Sequence, residues 1–246
     1  MKVALLIPCT SNKHDDWANA KDTYLYKLSL TTFCLTYDKE HEYTFYIGYD
    51  HDDRIFSRPE CHNDFHRFSS VWKNVSFQFI RYGDDIRKGH LTKMWNVLYK
   101  KAYDDGYDYF YQCGNDIYFH TTGWINDSIQ ALQTHSDIGI SGPINNNFLI
   151  MTQAMFSRKH MEIFGWLFPE EIMNWCCDDW YNHLYRPKWC YPLTKQYCSN
   201  EGGEPRYVIN CDETFRLAGQ RNIQLLRERT KLLAYQHRQR LDDLGL

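Results

Sequence analysis

The sequence carries nine cysteines in 246 residues but no C-x-x-C pair. An odd number without close pairs indicates neither a zinc ribbon nor a closed disulfide framework. The thiols are expected to be reduced, several of them buried as small hydrophobes; the adjacent Cys176 and Cys177 are the one local basis for redox chemistry. Also missing are a G-x-G-x-x-G, a P-loop lysine motif and a G-x-S-x-G elbow, so dinucleotide, P-loop and serine-hydrolase chemistry have no support. No apolar run approaches the roughly 18 to 20 residues that cross a bilayer. The opening "MKVALLIPCTSN" is too short an apolar stretch for a secretion signal, and the chain reads as cytoplasmic. With a formal charge of −3 and basic residues scattered outside "RERTKLL" and "HRQRL", nucleic acid is not an expected partner. No internal repeat and no low-complexity tract occurs.

What is present is an ordinary globular balance, 43% hydrophobic and 24% charged, with an unusual 17% of aromatics that includes 19 tyrosines. "KVALLIP" is a continuous apolar run suited to a central strand covered on both faces. Helical spacing follows over residues 20–36, then strands at "EYTFYIGYD" and "VSFQFIRY". "KGHLTKMWNVLYKKAYDDG" is the strongest helix, with Leu91, Trp95, Leu98 and Ala102 on one face and Gly106 as its stop. "YDYFYQC" is a strand, Trp124 to Leu132 a helix, "DIGISGP" a strand, "TQAMFSRKHMEIFG" a strand feeding a helix, and "NWCCDDWYNHLY" a helix. Residues 186–211 read as loop, and "CDETFRLAGQRNIQLLRERTKLL" as a last helix interrupted near Gly219. The segment with His51, His62 and His66 reads as a long polar loop without the paired spacings of a zinc site. Strands alternating with helices predict an α/β chain with a mostly parallel central sheet flanked by helices. One domain over 1–246 is expected, a nucleotide-type half at 1–145 and a smaller acceptor-side half with a C-terminal helix at 146–246.

Ligands of open α/β sheets sit beyond the carboxyl ends of the strands, and two strands here run into acids, "YIGYDHDD" and "YFYQCGNDIYF". Asp50, Asp53 and Asp116 are therefore expected on one rim. A carboxylate near a core needs a cation or donors as its partner, although G-N-D is also good turn chemistry. A third acidic site places Asp178 and Asp179 between Trp175 and Trp180; a helix N-terminus favouring negative charge is its plainer explanation.

The order of "IPCTSN", "IGYDHDD", "KGHLTKMWN", "YDYFYQCGNDIYF", "GWI", "TQAMFSRKHMEIFG" and "CDDW" resembles nucleotide-sugar-dependent glycosyltransferases of the GT-A fold, and is similar to small soluble ones encoded by large DNA viruses. The resemblance runs from residue 3 to about 185. It implies a UDP-sugar donor, a hydroxyl acceptor such as a glycan, and Mn²⁺ or Mg²⁺. By resemblance, Pro8, Cys9 and Thr10 lie against the base, Asp50 with Asp53 behind it holds the uracil or ribose, and Lys88 and Asn96 touch the nucleotide. Gly114, Asn115 and Asp116 occupy the place of the metal-binding D-x-D, with Gly114 where the first acid belongs. That leaves Asp116 as the direct metal ligand and Asn115 for a ribose hydroxyl or a metal-bound water.

A divalent ion bridging the diphosphate would neutralise the leaving group, and oxygen donors suit Mn²⁺ or Mg²⁺ better than Zn²⁺. By the same resemblance His237 is a further metal ligand, its alternative being a surface histidine on a basic helix. An acceptor hydroxyl needs a general base in an inverting transfer, and the resemblance puts that base at Asp178 or Asp179; retention is the internal alternative. Trp124, Trp166, Trp175 and Trp180 have two readings, sugar stacking and core packing. Two other functions stay open. A sugar nucleotidyltransferase would need a glycine-rich basic loop after the first strand, where "CTSNKHDD" has no glycine. A non-catalytic binding module of the same fold is favoured by the missing first acid.

Overall fold

The structure, a computed structural model, describes residues 1–203, 206–207 and 220–245. Its strands are β1 (Lys2–Cys9), β2 (Glu42–Tyr49), β3 (Val75–Arg81), β4 (Tyr109–Gln112), β5 (Ile117–Phe119), β6 (Ile140–Ile144), β7 (Ala154–Ser157) and β8 (Cys190–Asn200). They form one sheet in the order β3-β2-β1-β4-β7-β6-β8-β5. β3, β2, β1 and β4 run parallel, whereas β7 is antiparallel to β4 and β6. The helices are α1 (Thr31–Thr36), α2 (Pro59–Val71), α3 (Leu91–Asp104), α4 (Trp124–Thr134), α5 (Arg158–Phe164), α6 (Cys177–Tyr185) and α7 (Gln220–Asp242), with a π-helical turn at Leu25–Leu30 leading into α1. The α/β sheet flanked by helices is the expected architecture.

β1 shows why the apolar run is continuous. Val3, Leu5 and Ile7 face one core layer with α1, α2 and α4, while Ala4 and Leu6 face the other with α3, α5, α6 and α7. Each layer takes alternate residues, so neither face tolerates a polar side chain. In α3, Met94, Trp95, Leu98, Tyr99 and Ala102 are buried, the one-sided pattern of 3.6-residue periodicity. The helix stops just before Gly106, whose φ of +80° suits a residue without Cβ. Much of the aromatic excess is core: Phe33 packs against Tyr37, Tyr43, Phe45 and Phe119 with ring centres 5.1 to 6.2 Å apart.

Two expectations fail. Residues 59–71 are helix α2 rather than loop; Cys61, Phe65 and Phe68 at i, i+4 and i+7 make a narrow apolar stripe inside a polar sequence, and only packing on Phe77 and Phe79 makes it count. Likewise 190–200 is β8, not loop. Its proline and polar residues disguise it, and a register shift between Pro143 and Ile144 lets it pair first with β6 and then with β5. The other edge of β5 is closed by side chains, since the Ile117 and Phe119 amides donate to Ser29 Oγ and Thr32 Oγ1 at 3.1 and 3.0 Å. The last expected helix is present from Gln220 onward; Cys211 and Gly219 lie outside the described residues. The eight cysteines among the described residues are free thiols, and no helix among those residues is long and apolar enough to cross a membrane.

Candidate active site

Because β1, β2 and β4 are parallel neighbours, the residues after their carboxyl ends emerge on one rim: Thr10 and Ser11, Asp50 to Asp53, and Cys113 to Asp116. Asp53 ties the first two loops together. Its carboxylate accepts from the Ser11 amide at 2.6 Å and hydroxyl at 3.0 Å, and from the Ile55 and Phe56 amides at 3.0 and 2.9 Å. Asp53 therefore shapes the rim through backbone contacts.

A cavity of about 430 Å³ opens here, walled by Thr10, Asn12, Asp50, Lys88, Arg206 and Tyr207 among others, with Asp53 also on its wall. Burial pushes the Asp50 carboxyl above its ordinary range, opposed by a hydrogen bond from the Tyr207 hydroxyl and by the Lys88 charge; the hydroxyl lies 3.0 Å from Asp50 Oδ2. Lys88 pairs with Asp52 at 2.6 Å, a contact that holds its ammonium in the charged form. A second cavity, about 260 Å³, is walled by Pro8, Thr10, Asp116, Asn174, Trp175, Arg206 and Tyr207. Thr10, Arg206 and Tyr207 line both, so the two form adjoining compartments along one rim.

Asp116 stands at this junction with a guanidinium as its partner. Arg206 donates to Asp116 Oδ2 at 3.2 Å and to Asn115 Oδ1, and the two charged side chains are only 17% and 8% exposed. The backbone crowds the same carboxylate: a Cβ on Gly202 would fall 1.7 Å from Asp116 Oδ2 and one on Gly114 2.4 Å from Oδ1. The glycine in place of the first acid thus gives Asp116 its room. Asn115 is wholly buried, and its Nδ2 has no hydrogen-bond partner among the described residues.

The Mn²⁺ or Mg²⁺ set expected from Asp116 and His237 does not assemble. His237 lines a different cavity with Trp166 and Glu171; its Nδ1 accepts from Trp180 Nε1 at 3.2 Å, and burial together with Arg240 favours its neutral form. Among the described residues no three His, Cys, Asp or Glu side chains converge as ion ligands. Among the described residues Asp116 would be the lone protein ligand and is already ion-paired, so those at this rim do not fit a divalent ion.

Asn96 is also elsewhere. Its Oδ1 accepts from the Leu167 and Phe168 amides at 3.0 and 2.8 Å and its Nδ2 donates to the Phe168 carbonyl at 2.9 Å, which anchors the turn after α5, and it lies on the wall of neither compartment. Asp178 and Asp179 head α6, three and four residues past Trp175; neither carboxyl is part of the Asp116 cavity wall. Asp178 is half-buried, and desolvation followed by the Asp179 charge pushes its carboxyl up to about 7, against the opposing pull of backbone amides and Arg227. Arg227 lies 3.9 Å from Asp179. Of the four tryptophans, Trp124 and Trp180 are core, Trp166 lies beside His237, and only Trp175, 38% exposed, faces the Asp116 cavity.

Sequence reasoning missed Arg206 and Tyr207. The signal was "EGGEPRY": paired glycines before a proline permit the close approach that Gly202 makes to Asp116.

No protein-family model matches the sequence, and no curated protein matches it. Solved structures do. S. aureus TarS 1–349 in complex with UDP-GlcNAc is similar over 85% of this chain, with 14% identity and a TM-score of 0.53. The complex of TarS 1–349 with UDP is similar over 81%, with 13% identity and a TM-score of 0.53. A further TarS structure matches over 80%, with 12% identity and a TM-score of 0.52. The chain spans 62%, 60% and 36% of those chains respectively. The likeness shows a GT-A-like α/β fold of the kind found in glycosyltransferases.

Proposed function

We propose that the protein is a glycosyltransferase that takes a sugar from a nucleoside-diphosphate sugar, a UDP-sugar first, and passes it to a hydroxyl acceptor. The observation that carries this reading is the convergence of the β1, β2 and β4 loops on two adjoining compartments at the carboxyl rim of a fold whose TarS neighbour holds UDP-GlcNAc. The compartment with Thr10, Asp50 and Lys88 suits a nucleoside, whose ribose and base edges offer donors to Asp50. The compartment with Asp116 and Trp175 suits the diphosphate and sugar, Trp175 giving a ring face for the apolar side of a pyranose.

The residues themselves perform the positioning. Asp53 fixes the β1 and β2 loops against each other, and Asn96 fixes the chain beyond α5, so the rim is held before substrate arrives. The general base of an inverting transfer is Asp178 or Asp179, on the first turn of α6 beyond Trp175, with the acceptor entering from that side of the Asp116 compartment; the raised Asp178 carboxyl favours it of the two. Single displacement needs no covalent intermediate. A sugar nucleotidyltransferase is disfavoured by the absence of glycine in "CTSNKHDD", and a binding module would share the cleft without releasing nucleoside diphosphate.

The test is a panel of UDP-, GDP- and ADP-sugars, with and without Mn²⁺, read by thermal shift and by nucleoside-diphosphate release. One donor class should stabilise the chain and be hydrolysed slowly or transferred. A pure binding module would show stabilisation with no release, and a flat panel would end the reading.

A further inference from the structure

A guanidinium stands where a metal was expected. Carboxylates crowd this rim, Asp50, Asp52 and Asp53 in one compartment and Asp116 in the other, and the Arg206 guanidinium is sited where both compartments meet. Arg206 donates to Oδ1 of the wholly buried Asn115, which orients the guanidinium from below the rim. Asp116 uses one oxygen to anchor the guanidinium at 3.2 Å, and a buried carboxylate with a cationic partner is held without a metal. A guanidinium has five N–H donors in a planar fork, and the contacts to Asn115 and Asp116 use its two terminal nitrogens once each. Among the described residues no other side chain takes up the remaining N–H groups, which can serve a second acceptor.

We propose that Arg206 holds the donor diphosphate, its guanidinium supplying the positive charge that a divalent ion was expected to bring, so that donor binding is metal-independent. This rests on the glycosyltransferase reading and specifies its donor site. Asp116 is then a positioning residue for Arg206. The Gly202 backbone, pressed against that carboxylate, keeps the pair in place, and Asn200, Gly203, Arg206 and Tyr207 become part of the donor site rather than of a connector.

Calorimetry on the intact chain with UDP, GDP and ADP, in EDTA and in Mn²⁺, tests this. One diphosphate should bind in EDTA with a Kd within about threefold of that in Mn²⁺, and Arg206→Gln should weaken it by about 30-fold or more, as expected for loss of a buried charged donor. Arg206→Lys keeps charge without the fork and should lose about tenfold. Since Arg206→Gln strands Asp116, the double variant Arg206→Gln/Asp116→Asn, neutral on both sides, serves for the folded comparison and should bind as weakly. Binding that appears only with Mn²⁺, or that the double variant leaves unchanged, overturns the inference while the glycosyltransferase reading stands. No binding of any probe in either buffer removes that reading and the inference with it.

Discussion

Replacing Asp178 by Asn should make the protein more stable above neutrality while removing transfer. In the folded chain this carboxyl is pushed from 3.8 to about 7. A shift of roughly three units at about 1.36 kcal/mol each is worth about 4 kcal/mol, an upper limit because the group is half-buried and water reaches it. The sign follows from proton counting. Between about pH 4 and 7 the folded chain keeps a proton that the unfolded chain has released, so raising the pH through that window destabilises the native protein. Asn has no such proton. Its advantage should be absent at pH 4, grow through neutrality and level off near pH 8. Urea unfolding at pH 4.5, 6 and 8 measures this as a separation of midpoints that widens with pH at constant m. Asp179→Asn should lower the Asp178 midpoint, since the Asp179 charge is the second cause of the shift. A difference between wild type and Asp178→Asn that does not vary with pH would refute the argument, and with it the basis for preferring Asp178 as the base.

His160 is buried with Nδ1 at 2.6 Å from the Tyr185 hydroxyl and Nε2 at 3.1 Å from the Leu167 carbonyl. Burial pushes its imidazole from 6.5 down to about 3, so stability should fall as pH drops below 6.5, and His160→Gln should flatten that acid limb in a thermal-melt series. Asn96→Ala should cost about 2 to 4 kcal/mol by stranding the Leu167 and Phe168 amides, yet leave diphosphate affinity unchanged in calorimetry; a loss of affinity with intact stability would return Asn96 to the nucleotide. Gly202→Ala should displace the loop from Asp116, because its Cβ would fall 1.7 Å from the carboxylate; weakened diphosphate binding with an unaltered far-UV spectrum is the expected result.

Local pattern alone carried the parallel half. β1, β2, β3 and α3 follow from apolar spacing that a strand or helix must have when both its faces, or one, are buried, and the acids after β2 and β4 reach one rim because parallel strands end on the same side. Where spacing is weak, only neighbours decide: α2 is a helix because Phe65 meets Phe77 and Phe79, and β8 is a strand because β6 and β5 offer it hydrogen bonds. The site divides the same way. Asp116 was visible as an acid in need of a partner, but its cation lies 90 positions along the chain, and His237 and Asn96 turn to other cores. Periodicity acts over a few residues, whereas charge pairing and cavity walls depend on which distant loops the sheet brings within a few ångströms, and that is set by the tertiary fold alone.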